Sequence, residues 1–324
     1  MKLLSVELRR FASRRANVLF AALGLLFLAG ALVVLGFNSH SPTASELATA
    51  QQEAEEQREQ VREDRDRCEN EDTYSDYRGA IDCDEMYNPS QVQASDFLDG
   101  VVSFADEAEG QIVFLGIVFV VCALLMSGSF VGAEWSSGGM TNLLLWNPRR
   151  LPVFAAKLTA AMVSIVGLTL AAAVLHLGGL YVIALTNGDV GTVDADWWEY
   201  NGTIALRFLV MVAVAVIWGV SLSMIGRRTV VAIGSVLAYL VVFEFGLRAL
   251  MDTVQAFTVD YVLLSTYAAA WFIGSVPIHA RTMYDGYNDQ PDIIYRWEGG
   301  GVILAVTAIL LAGSAVLFSR RDTT

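Results

Sequence analysis

Four groups of residues in this chain have types and spacings that could carry charge or do chemistry. The first is Glu134 to Lys157, EWSSGGMTNLLLWNPRRLPVFAAK, a polar and amphipathic island between long apolar runs, with Arg149, Arg150 and Lys157 set against one acid, Glu134. Lys and Arg concentrate in the short cytoplasmic loops of membrane proteins, so this island is expected to face the cytoplasm. Leu143, Leu144, Leu145 and Trp146 suit the apolar side of a short interfacial helix. Pro148 would end that helix, and Pro-Arg-Arg-Leu-Pro either presents two guanidinium groups to a soluble partner or serves as an ordinary positively charged loop. The second group is His176, within an apolar run: a functional intramembrane imidazole, or a neutral ring hydrogen-bonded where Gly178 and Gly179 let helices pack closely. The third is Glu244 and Arg248, four apart with the acid first, so that one helix face can pair them. Glu244 is then an intrahelical clamp or a proton-coupling carboxylate.

The fourth group is the cysteines. In an oxidising compartment Cys68 and Cys83 would close a loop of roughly 15 residues, a disulfide worth about 3 kcal/mol; otherwise they are two surface thiols. Cys122, inside an apolar run, reads as a small buried hydrophobe. Other chemistry is missing from the sequence. There is no GxxxxGK[ST] phosphate loop, so this chain is not expected to bind or hydrolyse ATP. HExxH, GxSxG, CxxC spacing, clustered His and a paired-carboxylate constellation are also missing, so no catalytic, metal or cofactor residue is expected.

The elements that must position these residues follow from composition. Hydrophobic residues make up 55% of the 324 and mean hydropathy is +0.49, with apolar runs long enough for a hydrocarbon core that needs roughly 20 residues per helix. The formal charge of −13 is segregated rather than spread. The segments 1–15, 132–157, 226–229 and 319–324 hold 12 of the 21 Lys and Arg but 3 of the 34 acids, Glu7, Glu134 and Asp322. That asymmetry places both termini and two loops inside and excludes a soluble nucleic-acid binder.

In chain order, residues 1–15 read as a basic amphipathic helix on the inner surface, rather than the start of a cleaved signal, because the apolar run that follows exceeds a typical h-region of about 7 to 15 residues. The first span is 16–36. Residues 37–110 form an extracytoplasmic insertion whose first part, Ser45 to Arg67, lacks Gly and Pro and reads as a solvated helix. Its apolar stripe is thin (Leu47, Ala50, Ala54, Val61), and pairs such as Glu59 with Arg62 and Glu63 with Arg67 support its exposed face. The second span is 111–131, the inside island 132–152 and the third span 153–186. The loop with Asp189, Asp194, Asp196, Glu199, Trp197 and Trp198 fits an outer interface. The fourth and fifth spans are 204–225 and 230–250, joined by Gly226-Arg227-Arg228-Thr229. Asp260 to Ile278, within the loop 251–299, is nearly long enough to cross, but the acidic stretch after it and the basic terminus require it to be re-entrant or interfacial helix. The sixth span is 300–319.

The order Glu134, Gly138, a Leu-Leu pair at Leu144, Pro148, Arg150 and Lys157 resembles the signature after the second membrane helix of ABC type-2 (ABC-2) transporter permeases. Its Glu-Trp, Met-Thr and Trp-x-Pro-Arg-Arg wording is similar to actinobacterial members. It departs from the pattern at Gly139, where the family usually has Thr. The resemblance implies an all-α polytopic membrane protein with six spans, both termini cytoplasmic and re-entrant helices before the sixth. It also implies that Glu134, Gly138, Leu144, Pro148, Arg149, Arg150 and Lys157 belong to a coupling element docked on a separate cytoplasmic ATPase, which holds ATP and Mg. A second permease chain, identical or not, would complete an exporter in the bacterial cell membrane. The long insertion raises an alternative, a transporter-like scaffold that reaches an envelope partner without moving cargo. A membrane-embedded enzyme using His176 or Glu244 is the third reading.

Overall fold

An apolar stretch in lipid must satisfy its backbone N–H and C=O groups within itself, and the helix is the only way a single segment can do so. In the computed structural model, which describes residues 2–70, 88–89, 92–254, 259–278, 281–282, 286–287 and 292–320, six helices are long and apolar enough to cross a membrane. A short amphipathic helix, α1 (Lys2–Ser13), precedes the first of them, α2 (Arg15–Asn38). The polar helix α3 (Ala44–Asn70) follows, then a single 3₁₀ turn at Ala94–Phe97 and the second apolar helix, α4 (Phe104–Ser136). After it come the short α5 (Gly139–Trp146) and the long α6 (Arg150–Asn187). At 1.5 Å per residue, α6 spans about 57 Å, well beyond a hydrocarbon core of about 30 Å.

Next are α7 (Ala195–Gly226) and a fifth apolar segment that begins as α8 (Thr229–Tyr239). This segment widens to a π-helix over Leu240–Leu247 and returns to α-helix in α9 (Arg248–Val254). After a 3₁₀ turn at Val259–Tyr261 come α10 (Leu264–Ile273) and strand β1 (Ser275–Ile278). The short strands β2 (Arg281–Thr282) and β3 (Gly286–Tyr287) lead to β4 (Asp292–Tyr295) and the last apolar helix, α11 (Arg296–Arg320).

The chain divides into two compact units. The first comprises 1–27, 112–174 and 200–324. Its apolar helices are joined by close approach rather than by large side chains. A Cβ added at Gly219 on α7 would lie 2.0 Å from Ser127 Oγ and 2.8 Å from the Leu124 carbonyl on α4, so glycine lets the two backbones meet. Hydrogen bonds then lock the contact: Ser223 Oγ donates to the Gly128 carbonyl at 2.8 Å, and Trp218 Nε1 donates to Thr307 Oγ1 on α11 at 2.9 Å.

In the same unit the expectation of helix throughout Asp260 to Ile278 is corrected in part. Helix holds only as far as Ile273; Ser275 to Ile278 is a strand paired antiparallel with β4, from Ser275 opposite Tyr295 to Ile278 opposite Asp292. Gly274 at φ 113° ends the helix, and Pro277, which cannot supply a helical N–H, is tolerated in a two-stranded sheet. Ala270, Ile278 and Ile294 bury one another there.

The second unit comprises 28–111 and 175–199. Its core is Val102, Phe104, Leu180 and Ala184, flanked by Leu32, Leu35, Ile183, Val190, Val193 and Trp197. The connector after α2 is laced to the end of α6: Ser39 Oγ donates to the Asn187 carbonyl and accepts from the Val102 N–H. The buried stripe of α3 runs Ala50, Ala54 and Cys68, and Arg58 on the same side donates from Nε to the Val92 carbonyl at 3.0 Å. The surface pairs on this helix differ from those expected: Arg67 pairs with Asp64 at 3.1 Å, and Arg62 reaches two turns back to Glu55 at 3.6 Å. Cys83 lies outside the described residues, so the expected disulfide lies outside them too.

Candidate functional site

The Glu134 to Lys157 stretch folds as a turn between α4 and α6, and its chemistry is organised from beneath. Gly138 takes the left-handed conformation at φ 73°, which an L side chain adopts only at a cost, and this reverses the chain into α5. The position next to it is undemanding. A Cβ at Gly139 would come no closer than 3.4 Å to Ser137 Oγ, so the fold accepts a side chain where this chain has none.

Below the turn, Lys157 is fully buried near the start of α6. Its Nζ is 2.7 Å from Glu7 Oε2, a hydrogen bond, and 2.5 Å from Glu134 Oε2, an ion pair whose angle is less suited to hydrogen bonding. Glu7 is itself only 1% exposed and also receives Arg10 Nη1 at 3.1 Å. The Lys157 ammonium sits 5.1 Å from the centre of the Phe130 ring, which packs edge-on against Phe11 at 5.1 Å. Arg14 Nη1 closes the cluster by donating to the Phe130 carbonyl at 3.1 Å. Burial pulls the Arg14 guanidinium below its ordinary range, and the Glu134 carboxylate acts in the opposite direction. Three elements distant in sequence, α1, the end of α4 and the start of α6, are thus tied by two carboxylates around one ammonium.

That cluster fixes which side chains face outward. On α5, Met140 and Leu144 are buried. Leu145 is 76% and Trp146 91% exposed, and Pro148, Arg149 and Leu151 are exposed beside them. Of the two guanidinium groups expected to meet a partner, only Arg149 lies on this surface. Arg150 Nη1 instead donates to the Phe318 and Ser319 carbonyls at 3.2 and 3.5 Å, capping the C-terminus of α11, where unsatisfied carbonyls attract a cation. Trp135 and Phe154 pack around Phe318 on either side of that contact.

Elsewhere the structure separates residues the sequence had grouped. The Glu244–Arg248 pair is not formed. Glu244 lies in the π-helical stretch, whose wider turn breaks the i,i+4 register, and it reaches instead to the start of α10. There its Oε1 accepts from the Ser265 N–H at 3.1 Å and from Tyr239 Oη at 2.9 Å, and its Oε2 accepts from Ser265 Oγ at 2.5 Å. Tyr239 Oη in turn accepts from the Leu264 N–H at 2.8 Å. Arg248 pairs with Asp260 at 3.1 Å. His176 is buried in the second unit with Nε2 2.9 Å from Gln111 Oε1. Cys122 is a thiol whose Sγ lies 3.8 Å from the Phe20 carbonyl. Among the described residues no cluster of His, Cys, Asp and Glu has a metal-binding arrangement.

The residue that sequence reasoning missed is Glu7. It was counted as a stray acid in a basic segment, yet it shares a helix face with Leu4 and Phe11 at spacings of three and four. An acid on the apolar face of an otherwise basic amphipathic helix is the signal that could have found it. The family model described as "ABC-2 family transporter protein" matches residues 7–323 of this chain. No curated protein matches it.

Proposed function

Because the chain belongs to the ABC-2 family of transporter proteins, we propose that it is the membrane-spanning permease of an ATP-driven exporter whose ATPase is a separate subunit. The observation that carries this reading is the exposed patch Leu145, Trp146, Pro148 and Arg149, seated beside the Glu7–Lys157–Glu134 cluster. Exposed Leu and Trp on a membrane protein's polar loop need a cover, and one cation among apolar side chains suits a protein groove with an acidic rim. Movement of a docked ATPase on binding and hydrolysing ATP and Mg would press on α5, and the cluster would pass the displacement to α1, α4 and α6 together. ATP can shift the permease only through a contact that differs between states, and this patch is where we place it. A second permease chain completes the transport path, and the excess of Lys and Arg in these loops supports a patch facing the cytoplasm of a bacterial cell.

Cysteine crosslinking tests the docking directly. With Trp146→Cys in the otherwise cysteine-free full chain, a short bifunctional crosslinker in native membranes is expected to capture an ATPase subunit identified by its Walker motif, with less capture in the presence of a trapped nucleotide state. Capture of lipid-facing membrane proteins alone would overturn the assignment.

A second reading keeps the ATPase but makes the insertion the working part. The observation favouring it is that α3 is a 27-residue helix with its own buried stripe, more than a connector between spans requires. A Cys68–Cys83 disulfide would brace its far end. Removing residues 44–97 while preserving ATPase binding and cargo export would eliminate this scaffold reading.

A further inference from the structure

Away from the coupling patch, two guanidinium groups are brought to one helix terminus with no carboxylate between them among the described residues. Arg207, on α7, donates from Nη1 to the Phe272 carbonyl in the last turn of α10 at 2.9 Å. Arg296, the first residue of α11, is fastened by its own N–H to the Gly274 carbonyl at 2.7 Å. Its guanidinium lies over Gly274 so closely that a Cβ there would be 2.8 Å from Nη2. Phe272 and Gly274 are two residues apart, so both cationic heads share the end of α10. Among the described residues, the charged and titratable neighbours that act on Arg207 are Arg296 and Tyr200. Among the described residues neither arginine forms an ion pair, and the nearby Glu298 is committed to the Tyr295 N–H at 2.8 Å.

The end of α10 offers partial compensation, since a helix C-terminus carries about half a negative charge. Two guanidinium groups exceed that, and the excess is not matched by any side chain among those described. Each guanidinium presents five donors in a planar fork suited to two oxygens of one anion, and Arg207 spends one donor on Phe272. The placement narrows the anion further. Arg207 lies inside an apolar helix and Arg296 opens another, where Trp297 is exposed; Tyr200, also exposed, precedes Arg207 by about two turns on the same face. Indole and phenol rings at such positions sit at headgroup level. An oxyanion reaching this pair comes from the membrane boundary.

We propose that Arg207 and Arg296 form a binding site for the phosphate oxyanion of an anionic phospholipid headgroup at the end of the bilayer where α10 and α11 meet. The site is separate from ATPase docking, and only the assignment of that end to the outer leaflet rests on the orientation proposed above. With a headgroup bound, the phosphate would bridge α7 and α11 through the two guanidinium forks and hold the α10 terminus between them.

The test is native mass spectrometry of the purified full chain titrated with phosphatidylglycerol, with a phosphate-free glycosyl diacylglycerol of the same acyl chains, and with inorganic phosphate. Wild type is expected to retain phosphatidylglycerol over the glycolipid. Arg296→Gln, which removes an exposed side chain and leaves the Arg207–Phe272 bond intact, is expected to weaken retention about tenfold, the scale of one charge-assisted contact. Arg207→Gln/Arg296→Gln should abolish the preference at unchanged helical content by circular dichroism. Equal retention of both lipids, or unchanged retention in Arg296→Gln and the double variant, would overturn the site. Displacement of the lipid by equimolar inorganic phosphate would overturn the lipid assignment. Because the readout is lipid retention, failure here leaves ATPase docking untouched, and failure of docking leaves this result standing.

Discussion

Lys157 is the residue on which the seat beneath α5 turns. A buried ammonium between two carboxylates is costly to form, but removing it alone leaves Glu7, 1% exposed, with only the half-exposed Arg10 against it, and breaking a buried pair in this way commonly costs about 3–5 kcal/mol. Lys157→Met should therefore lower the thermal unfolding temperature of the detergent-solubilised chain far more than a surface change. Glu7→Gln/Lys157→Met should recover part of that loss, because one stranded charge is gone. Equal stability of wild type and Lys157→Met would show that the cluster does not hold the seat. Lys157 and Glu134 were legible in the sequence through their place in the family-like motif. Glu7 was legible only as an acid on the apolar face of α1, a signal that does not say which cation will meet it. Arg150 shows the opposite limit: the sequence assigned it to a turn facing a partner and could not say that the end of α11, some 170 residues later, would take its guanidinium.

At the scale of elements, helix ends decide the details. α3 starts with a capping box over Thr43-Ala44-Ser45-Glu46: the Thr43 N–H donates to Glu46 Oε2 at 2.7 Å, and the Glu46 N–H donates to Thr43 Oγ1 at 3.3 Å. The Thr43 backbone and hydroxyl bonds hold the Glu46 carboxyl below its usual range. A depressed carboxyl pKa contributes stability that is present above the unfolded value of about 4.3 and is lost as pH falls through the lower folded value. Protection factors at residues 44–47, taken against the intrinsic exchange rate at each pH, should fall on acidification below about pH 4, and Glu46→Gln should show the lower protection already at neutral pH. Protection independent of pH would contradict the cap.

The start of α10 behaves similarly, but its cap comes from another element. Glu244→Ala should cost about 1–2 kcal/mol, the usual range for a lost N-cap, and Arg248→Ala should act independently through Asp260. A double-mutant cycle giving no coupling between 244 and 248 is the expected outcome; strong coupling would restore the intrahelical clamp. Spacing alone could not reveal this, because a π-helical stretch shifts the register without any Gly or Pro to announce it. The same applies to the β1–β4 hairpin, whose partners are separated by a loop that carries no periodicity.

For the molecule as a whole, the six apolar helices were legible from length and hydropathy, because lipid leaves a single segment no other fold. The segregation of charge was legible for the same reason: it is written in counts rather than contacts. What could not be read was which residues meet across the spans, since small residues such as Gly219 carry that contact without a pattern of their own. The central claim, that the α5 surface is where an ATPase docks, is tested most directly by affinity purification of the tagged full chain from its native membrane. The comparison is between wild type and Arg149→Glu, with Arg150 left in place on α11. The account predicts that a Walker-motif ATPase co-purifies with wild type and is reduced at least tenfold in Arg149→Glu, with the chain itself recovered in equal amount. Undiminished ATPase in the variant, or none with wild type under conditions that keep other transporters intact, would contradict it.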